Sequence, residues 1–269
     1  MITTHHYANT SDIIAGYDIK GKILSLAFNC SSKDKGVKES GGDVLLCANN
    51  KHVKLMNLPL IPLPEVNFTT LFPWRMVVYY INAIKGLPHY YPQQFIDRIG
   101  TENINLVENS IIDNKYYSCT SGVDSLFDAV ASLIGVCDVN TYPGEAIYML
   151  EHIASKNENA RYPVNRYNPF DIKLLFSFLI SDIDKGIDKS VISAKFHNTF
   201  AYMLQLAIDI VRRDIQIDNI LLCGAIFQNK ILMNLLFIYL REYNINLYYP
   251  SPFSIDNISF SPNKLFENK

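Results

Sequence analysis

Cys223, Gly224 and Asn229 carry the clearest chemical signal in the chain. An apolar run, Asn219-Ile220-Leu221-Leu222, precedes them, and an amphipathic one, Ile231 to Leu240, follows. That order reads as a strand, a tight glycine turn and a helix. Such a turn lets backbone N–H groups and a helix N-terminus face a bound anion. The bland reading of the same residues is a structural turn with Asn229 as the helix N-cap. Cys223 offers a nucleophile only where its thiolate is stabilised; a thiol buried at a strand end is inert. Ser31, Ser32, Gly36, Gly41 and Gly42 form a second small-residue stretch. They can cradle a phosphate through backbone N–H groups, or simply close a hairpin. Gly144, after Pro143, admits close approach of a ligand to the backbone or serves the turn itself. His197 lies beside an apolar helical stripe, which suits packing better than proton transfer.

The elements that must position these residues follow from periodicity. Ile23 to Phe28 is an apolar run that reads as a buried strand. Val44 to Cys47 gives a second strand, Asn49-Asn50-Lys51 a hairpin turn, and Val53 to Leu58 a third strand. Pro59, Pro62 and Pro64 then break regularity. Helices are expected near 5–16, 73–86, 91–99, 125–135, 145–154 and 171–181. Phe196, Phe200, Leu204, Ile208 and Val211 mark one stripe of a long helix over 191–213. Strand 220–223, helix 230–242 and strand 246–249 form a right-handed parallel β-α-β unit. The meander 23–58 is predicted to join strands 220–223 and 246–249 in one mixed sheet. This α/β order is that of a ribonuclease-H-like lobe, the unit duplicated in actin-like ATPases.

Composition sets the outer bounds. The 269 residues are 49% hydrophobic and 19% charged, enough for a real core. A net charge of −2 gives no basic surplus for nucleic acid. The five cysteines are scattered and never in a C-x-x-C pair, which favours reduced thiols over a disulfide framework or a zinc finger. Met1 to His6 has neither a basic n-region nor an apolar core, and no apolar run is long enough to cross a bilayer. A cytoplasmic protein with no membrane or nucleic-acid partner is the expectation.

Several stretches, in order across most of the chain, resemble the carbamoyltransferase domain of the HypF-type proteins that mature the nickel–iron hydrogenase cofactor. Cys223 to Asn229 is similar to an S-G-G-V-F-Q-N turn, with Cys223 for Ser and Ala225 for the second Gly. His5-His6-Tyr7-Ala8-Asn9 resembles H-H-H-A-H. Ala27 to Cys30 with Gly41-Gly42-Asp43 stands in the place of F-D-G-T-G and W-G-G-E. Pro73-Trp74-Arg75, Thr120-Ser121 with Leu126 to Ala131, Thr141 to Ala146, and Lys195 to Thr199 complete the resemblance.

The resemblance implies an actin-like fold, with residues 1–20 as a remnant helix of a largely missing first lobe. Residues 21–269 would be the second lobe, carrying a helical insertion at about 65–190. It implies transfer of a carbamoyl group from carbamoyl-adenylate to a thiol of a HypE-like partner. ATP or carbamoyl-adenylate and a divalent metal would be the cofactors, the alternative being that this chain retains none. His5 would be a metal ligand, Arg75 catalytic, and Gly41, Gly42, Asp128, Gly144, Gly224 and Asn229 the nucleotide contacts. For Asp128 the alternative is a helix-capping or solvated carboxylate.

The departures fall on the chemistry. Asn9, Asn29 and Ile255 stand at three positions where the family has metal ligands. Asp124-Ser125 replaces Gly-Arg: Ser125 loses the positive charge expected to hold an anion, and Asp124 adds a negative one beside it. The apolar pattern that carries the fold is intact. A chain inactive in transfer is therefore expected, whether a domain of the transferase or a non-catalytic remnant or binding module that keeps the fold.

Overall fold

The computed structural model describes residues 14, 19, 21–28, 38–39, 41–48, 51–63, 71–113 and 118–249. The predicted mixed sheet is present. Strands β1 (Ile23–Phe28), β3 (Gly42–Ala48), β4 (Lys51–Asn57), β7 (Asn219–Cys223) and β8 (Asn246–Tyr248) line up as β4-β3-β1-β7-β8. The β1–β3 and β3–β4 pairs are antiparallel; β1–β7 and β7–β8 are parallel. β1 is central and buried at all six positions, so both faces of the sheet are covered. Leu24, Leu26 and Phe28 point into the main core; Ile23 and Ala27 point the other way, into a small cluster with Leu45, Cys47, Leu221 and Cys223.

A second small sheet, absent from the sequence-based expectation, joins β2 (Lys38–Glu39), β6 (Ser118–Thr120) and β5 (Ile61–Leu63). Its strands have two or three residues, too few to show an alternation of period two. After β5 the chain runs through helices α1 (Pro73–Ala83), α2 (Gln93–Ile99) and α3 (Thr101–Ile112), the strand β6, and helices α4 (Val123–Leu133), α5 (Glu145–Ile153) and α6 (Lys173–Asp184). α3 was not anticipated either. It buries only Ile104 and Val107, so it shows too narrow an apolar stripe to stand out.

The long helix α7 (Lys189–Asp214) and α8 (Lys230–Leu240) cover the main face. All five residues of the predicted α7 stripe are buried. Asp188 caps α7, accepting from the Ser190 N–H at 2.8 Å, and Arg212 and Arg213 lie in its last turn, where cations complement the helix dipole.

Candidate functional site

Register places two glycine segments at the same end of the sheet, on either side of β1. Gly42 lies opposite Phe28, and Cys223 opposite Ala27, so Gly41–Gly42 and Cys223–Gly224 flank the C-terminal end of β1. The Gly41 N–H donates to Ser121 Oγ at 3.1 Å, and the Leu58 N–H donates to Gly42 O at 2.8 Å. A Cβ on Gly42 would stand 2.6 Å from Leu58 Cδ1 and 2.8 Å from Ser121 O. Gly42 is thus required by packing against the Thr120–Ser121 segment, which leads into α4. At the same end of the sheet the Phe28 ring meets Phe170, Phe200 and Phe227 at 5.8, 5.9 and 6.2 Å.

Gly224 has φ 126° and opens a short 3-10 turn, Ala225–Gln228. Asn229 then caps α8: its Oδ1 accepts from the Leu232 N–H at 2.9 Å. Its Nδ2 lies 3.1 Å from His197 Nε2, and His197 Nδ1 lies 2.8 Å from Ser193 O. A carbonyl oxygen only accepts, so the His197 proton sits on Nδ1, and Nε2 accepts from the Asn229 amide. The ring has no exposure, and burial lowers its pKa from 6.5 to about 4, partly opposed by the bond to Ser193. His197 is therefore a neutral packing residue.

The helix N-terminus behind the turn is not open to an anion, contrary to expectation. Glu151 Oε1 accepts from the Lys230 N–H at 2.9 Å, and the same carboxylate takes the Ile231 N–H. With Leu232 capped by Asn229 and the Met233 N–H on Asn229 O at 3.0 Å, the first turn of α8 is satisfied internally. An anion at Gly224 would have to be held by the turn itself. Asn229 is a cap whose side-chain groups are both engaged, as the bland reading holds. Cys223 is a buried thiol in the small cluster. Its neighbour Cys47 is pushed up to about 12 by burial and then by Cys223, so Cys47 stays protonated.

Arg75, Asp128 and Gly144 gather instead around α1, α4 and the start of α5. The Arg75 guanidinium lies over the rings of Trp74 (5.4 Å) and Phe72 (5.5 Å). Asp128 is 7% exposed and hydrogen-bonded to Asn140, so it neither caps α4 nor is solvated. Burial, with Asp124 adding repulsion, raises its pKa well above the carboxylate range. Asn140, not anticipated from sequence, ties three elements together. Its Oδ1 accepts from the Ala146 N–H at 3.0 Å, its N–H donates to Leu71 O at 2.9 Å, and its side chain bonds Asp128. Gly144 caps α5 in the left-handed region, φ 85°, with nothing within 4 Å of where a Cβ would stand. The two sets are linked by α4, along which Asp128 lies about 9 Å from Gly122.

The Lys195–Thr199 stretch is structural throughout. Lys195 pairs with Asp182 at 3.0 Å. Asn198 Nδ2 donates to Glu158 O and Ala160 O at 3.0 and 2.9 Å, and Thr199 Oγ1 accepts from the Tyr162 N–H at 2.8 Å. One helix thus holds the 223–229 turn through His197 and the 155–171 loop through the next two residues. His5, Asn9, Ser31, Ser32, Asn29, Gly36 and Ile255 lie outside the described residues. Among the described residues, no group of three or more His, Cys, Asp and Glu is placed to hold a metal ion, and no helix is long and apolar enough to cross a membrane.

Residues 39–260 match the family described as the second subdomain of the Kae1-like domain of carbamoyltransferases. The chain belongs to that family. The HypF-type Kae1-like subdomain accounts for the mixed sheet and for the motif order. The carbamoyltransferase HypF of Rhizobium leguminosarum bv. viciae is 26% identical over 147 residues, 55% of this chain and 19% of that protein. A carbamoyltransferase HypF homolog of Cupriavidus necator is 22% identical over 190 residues, 68% of this chain and 48% of that protein. A full-length HypF crystal structure, in a phosphate- and nucleotide-bound form, superposes with a TM-score of 0.79 at 24% identity, covering 92% of this chain and 33% of that one. The chain thus spans less than half of each of these proteins. Within the Kae1-like subdomain, Gly41–Gly42, Thr120–Ser121 and Lys195–Thr199 are segments bonded across the fold. Each is tied down by the hydrogen bonds given above.

Proposed function

We propose that this chain is the nucleotide-facing lobe of a HypF-like carbamoyltransferase, and that by itself it binds an adenine nucleotide without transferring the carbamoyl group. One observation carries the reading: Gly41–Gly42 and Cys223–Gly224 flank the C-terminal end of β1, one on each side. In open α/β sheets, ligands bind outside the carboxyl ends of the strands. The nucleotide- and phosphate-bound state of the HypF crystal structure supports the ligand class. By likeness to the family, the reaction takes the carbamoyl group from carbamoyl-adenylate to a thiol of a HypE-like acceptor during nickel–iron hydrogenase maturation. In this lobe the Gly224 turn would position the adenylate through its own backbone N–H groups, those of Gly41 and of the first turn of α8 being already bonded, and Arg75 would meet its phosphate.

Two features support loss of transfer. Asp124 lies in the first turn of α4, where the resemblance places no charge, and Ser125 follows in the place of an arginine. A carboxylate there repels a phosphate that the arginine would hold. The divalent metal of the family would supply a Lewis acid. Of the residues at its positions only His5 keeps a ligand; Asn9, Asn29 and Ile255 provide amides and an alkyl group where the family has an imidazole and carboxylates. A single imidazole with two amides and an alkyl group does not fit a metal.

The test has two arms. Calorimetric titration of the 269-residue chain with ADP is expected to show saturable binding; its absence would remove the nucleotide reading. Incubation with carbamoyl phosphate, ATP and a HypE-like acceptor, followed by mass spectrometry of the acceptor thiol, is expected to show no product. A carbamoylated thiol above the no-enzyme control would restore the active-enzyme reading.

A further inference from the structure

We infer that His197 is a positioning residue for the Cys223–Asn229 turn, acting through Asn229. The functional consequence rests on the nucleotide-binding reading above; the mechanism rests on geometry alone.

The chain of hydrogen bonds has one allowed direction. Ser193 O can only accept, so Nδ1 carries the proton and Nε2 presents a lone pair. A lone pair at 3.1 Å selects the amide end of Asn229. Oδ1 is thereby left facing the Leu232 N–H at 2.9 Å. The flipped amide would set oxygen against the Nε2 lone pair and NH2 against an N–H, unfavourable at both ends. The position of one proton on α7 therefore fixes the Asn229 side chain, which fixes the first turn of α8 and the turn that precedes it. The imidazole is itself immobile: Phe127 and Phe196 pack edge-on against it, each with ring centroids 5.7 Å away. Asn229 is 3% exposed, so water does not replace a lost partner cheaply.

Neighbouring Asn198 provides the control. It makes two bonds from the same helix, but to the loop at Glu158 and Ala160 rather than to the turn. The experiment compares wild type, His197→Leu, His197→Gln and Asn198→Ala in the full chain. Hydrogen exchange is read at the Leu232 amide, and affinity is read with ADP. Gln can place its Oε1 where Nε2 stands, and so can accept from Asn229. Leu cannot. His197→Leu is expected to speed Leu232 exchange and weaken ADP binding, each by about tenfold, the loss of one good hydrogen bond. His197→Gln is expected to restore both to within a few-fold, roughly the scatter of such energies. Asn198→Ala is expected to lower the melting temperature and leave both readouts unchanged.

The inference is overturned if His197→Leu leaves Leu232 exchange at the wild-type rate, or if His197→Leu and Asn198→Ala weaken ADP equally. Should His197→Leu not fold, Asn229→Ser decides the matter. Ser keeps a cap on Leu232 and is too short to reach Nε2, so weakened ADP binding with Leu232 still protected is expected, and unchanged affinity overturns the inference. If the wild-type chain binds no ADP, the nucleotide reading falls, while Leu232 exchange in the His197 variants still decides the positioning role.

Discussion

At the residue scale the chemistry is set by what burial does to titratable groups. His197 titrates near 6.5 when unfolded and near 4 when folded. Between those values the unfolded chain binds a proton that the folded chain refuses. Its contribution is therefore complete above pH 6.5 and is lost as pH falls toward 4, by roughly 3 kcal/mol. Asp128 has the opposite sign: its raised pKa favours the folded state at low pH, and that share is lost as pH rises through the folded value. Urea denaturation of wild type and His197→Gln at pH 7.5 and 4.5 separates the two. Wild type should lose more stability on acidification than the variant; equal losses would contradict a neutral buried imidazole. Asp124 poses a second residue-scale test. It lies in the first turn of α4, and α4 begins beside the Ser121–Gly41 contact. Asp124→Asn is expected to tighten ADP binding a few-fold at low salt, with the gain fading by about 0.5 M as screening shortens the reach of the charge. An unchanged titration would place Asp124 away from the ligand. Of these residues, the glycines, Asn229 and Asp128 were legible as candidates because their types are distinctive. Asn140 and Glu151 were not. Glu151 meets the Lys230 N–H across 79 positions, and nothing local to either residue announces the contact.

At the element scale, strong periodicity and the joining of the longer strands into one mixed sheet are legible in the sequence, while the pairing of the two- and three-residue strands is not. β1 spans Ile23–Phe28 because six residues of which only Ser25 is polar, with polar sequence on either side, have few alternatives as a buried strand. The β7-turn-α8 unit was legible for the same reason. The small sheet was not, because its pairs join Lys38 to Cys119 and Ile61 to Thr120, a matter of tertiary contact rather than of local pattern. Nor was the order of the segment between α5 and α6 visible. Residues 154–172 have no helix or strand, yet Ser155, Glu158, Ala160 and Tyr162 are all bonded to α7. A loop of this length held by one helix should come loose when its main bonds are cut. Asn198→Ala removes two of them, and a loss of about 1–3 kcal/mol of local stability is expected. Limited trypsin digestion is the measurement. Cleavage at Lys156, Arg161 or Arg166 should be several-fold faster than in wild type, since cleavage tracks the population of the open form. Identical digestion rates would show that the loop is held by something other than Asn198.

At the scale of the whole molecule, one central strand joins nearly everything. β1 contributes Leu24, Leu26 and Phe28 to the main core and Ile23 and Ala27 to the small cluster, and its C-terminal end meets both glycine segments. A ligand bound there touches segments that come together only when the sheet is assembled. It should therefore bind the native state and not the unfolded chain. Mass action then gives about 2.7 kcal/mol of added stability at a ligand concentration one hundred times its dissociation constant. For a chain of this size each kcal/mol moves the melting temperature by about 2–4 °C. ADP at that concentration is thus expected to raise the melting temperature by roughly 5–10 °C. The rise should grow with the logarithm of ADP concentration and shrink at every concentration in a variant that weakens binding. Gly42→Ala is unsuited to this purpose, because its Cβ would collide with Leu58 and Ser121 in the fold itself. Differential scanning calorimetry over a range of ADP concentrations makes the measurement. A melting temperature that stays fixed up to millimolar ADP would mean that the assembled end of β1 does not hold the nucleotide, whatever the glycine turns suggest.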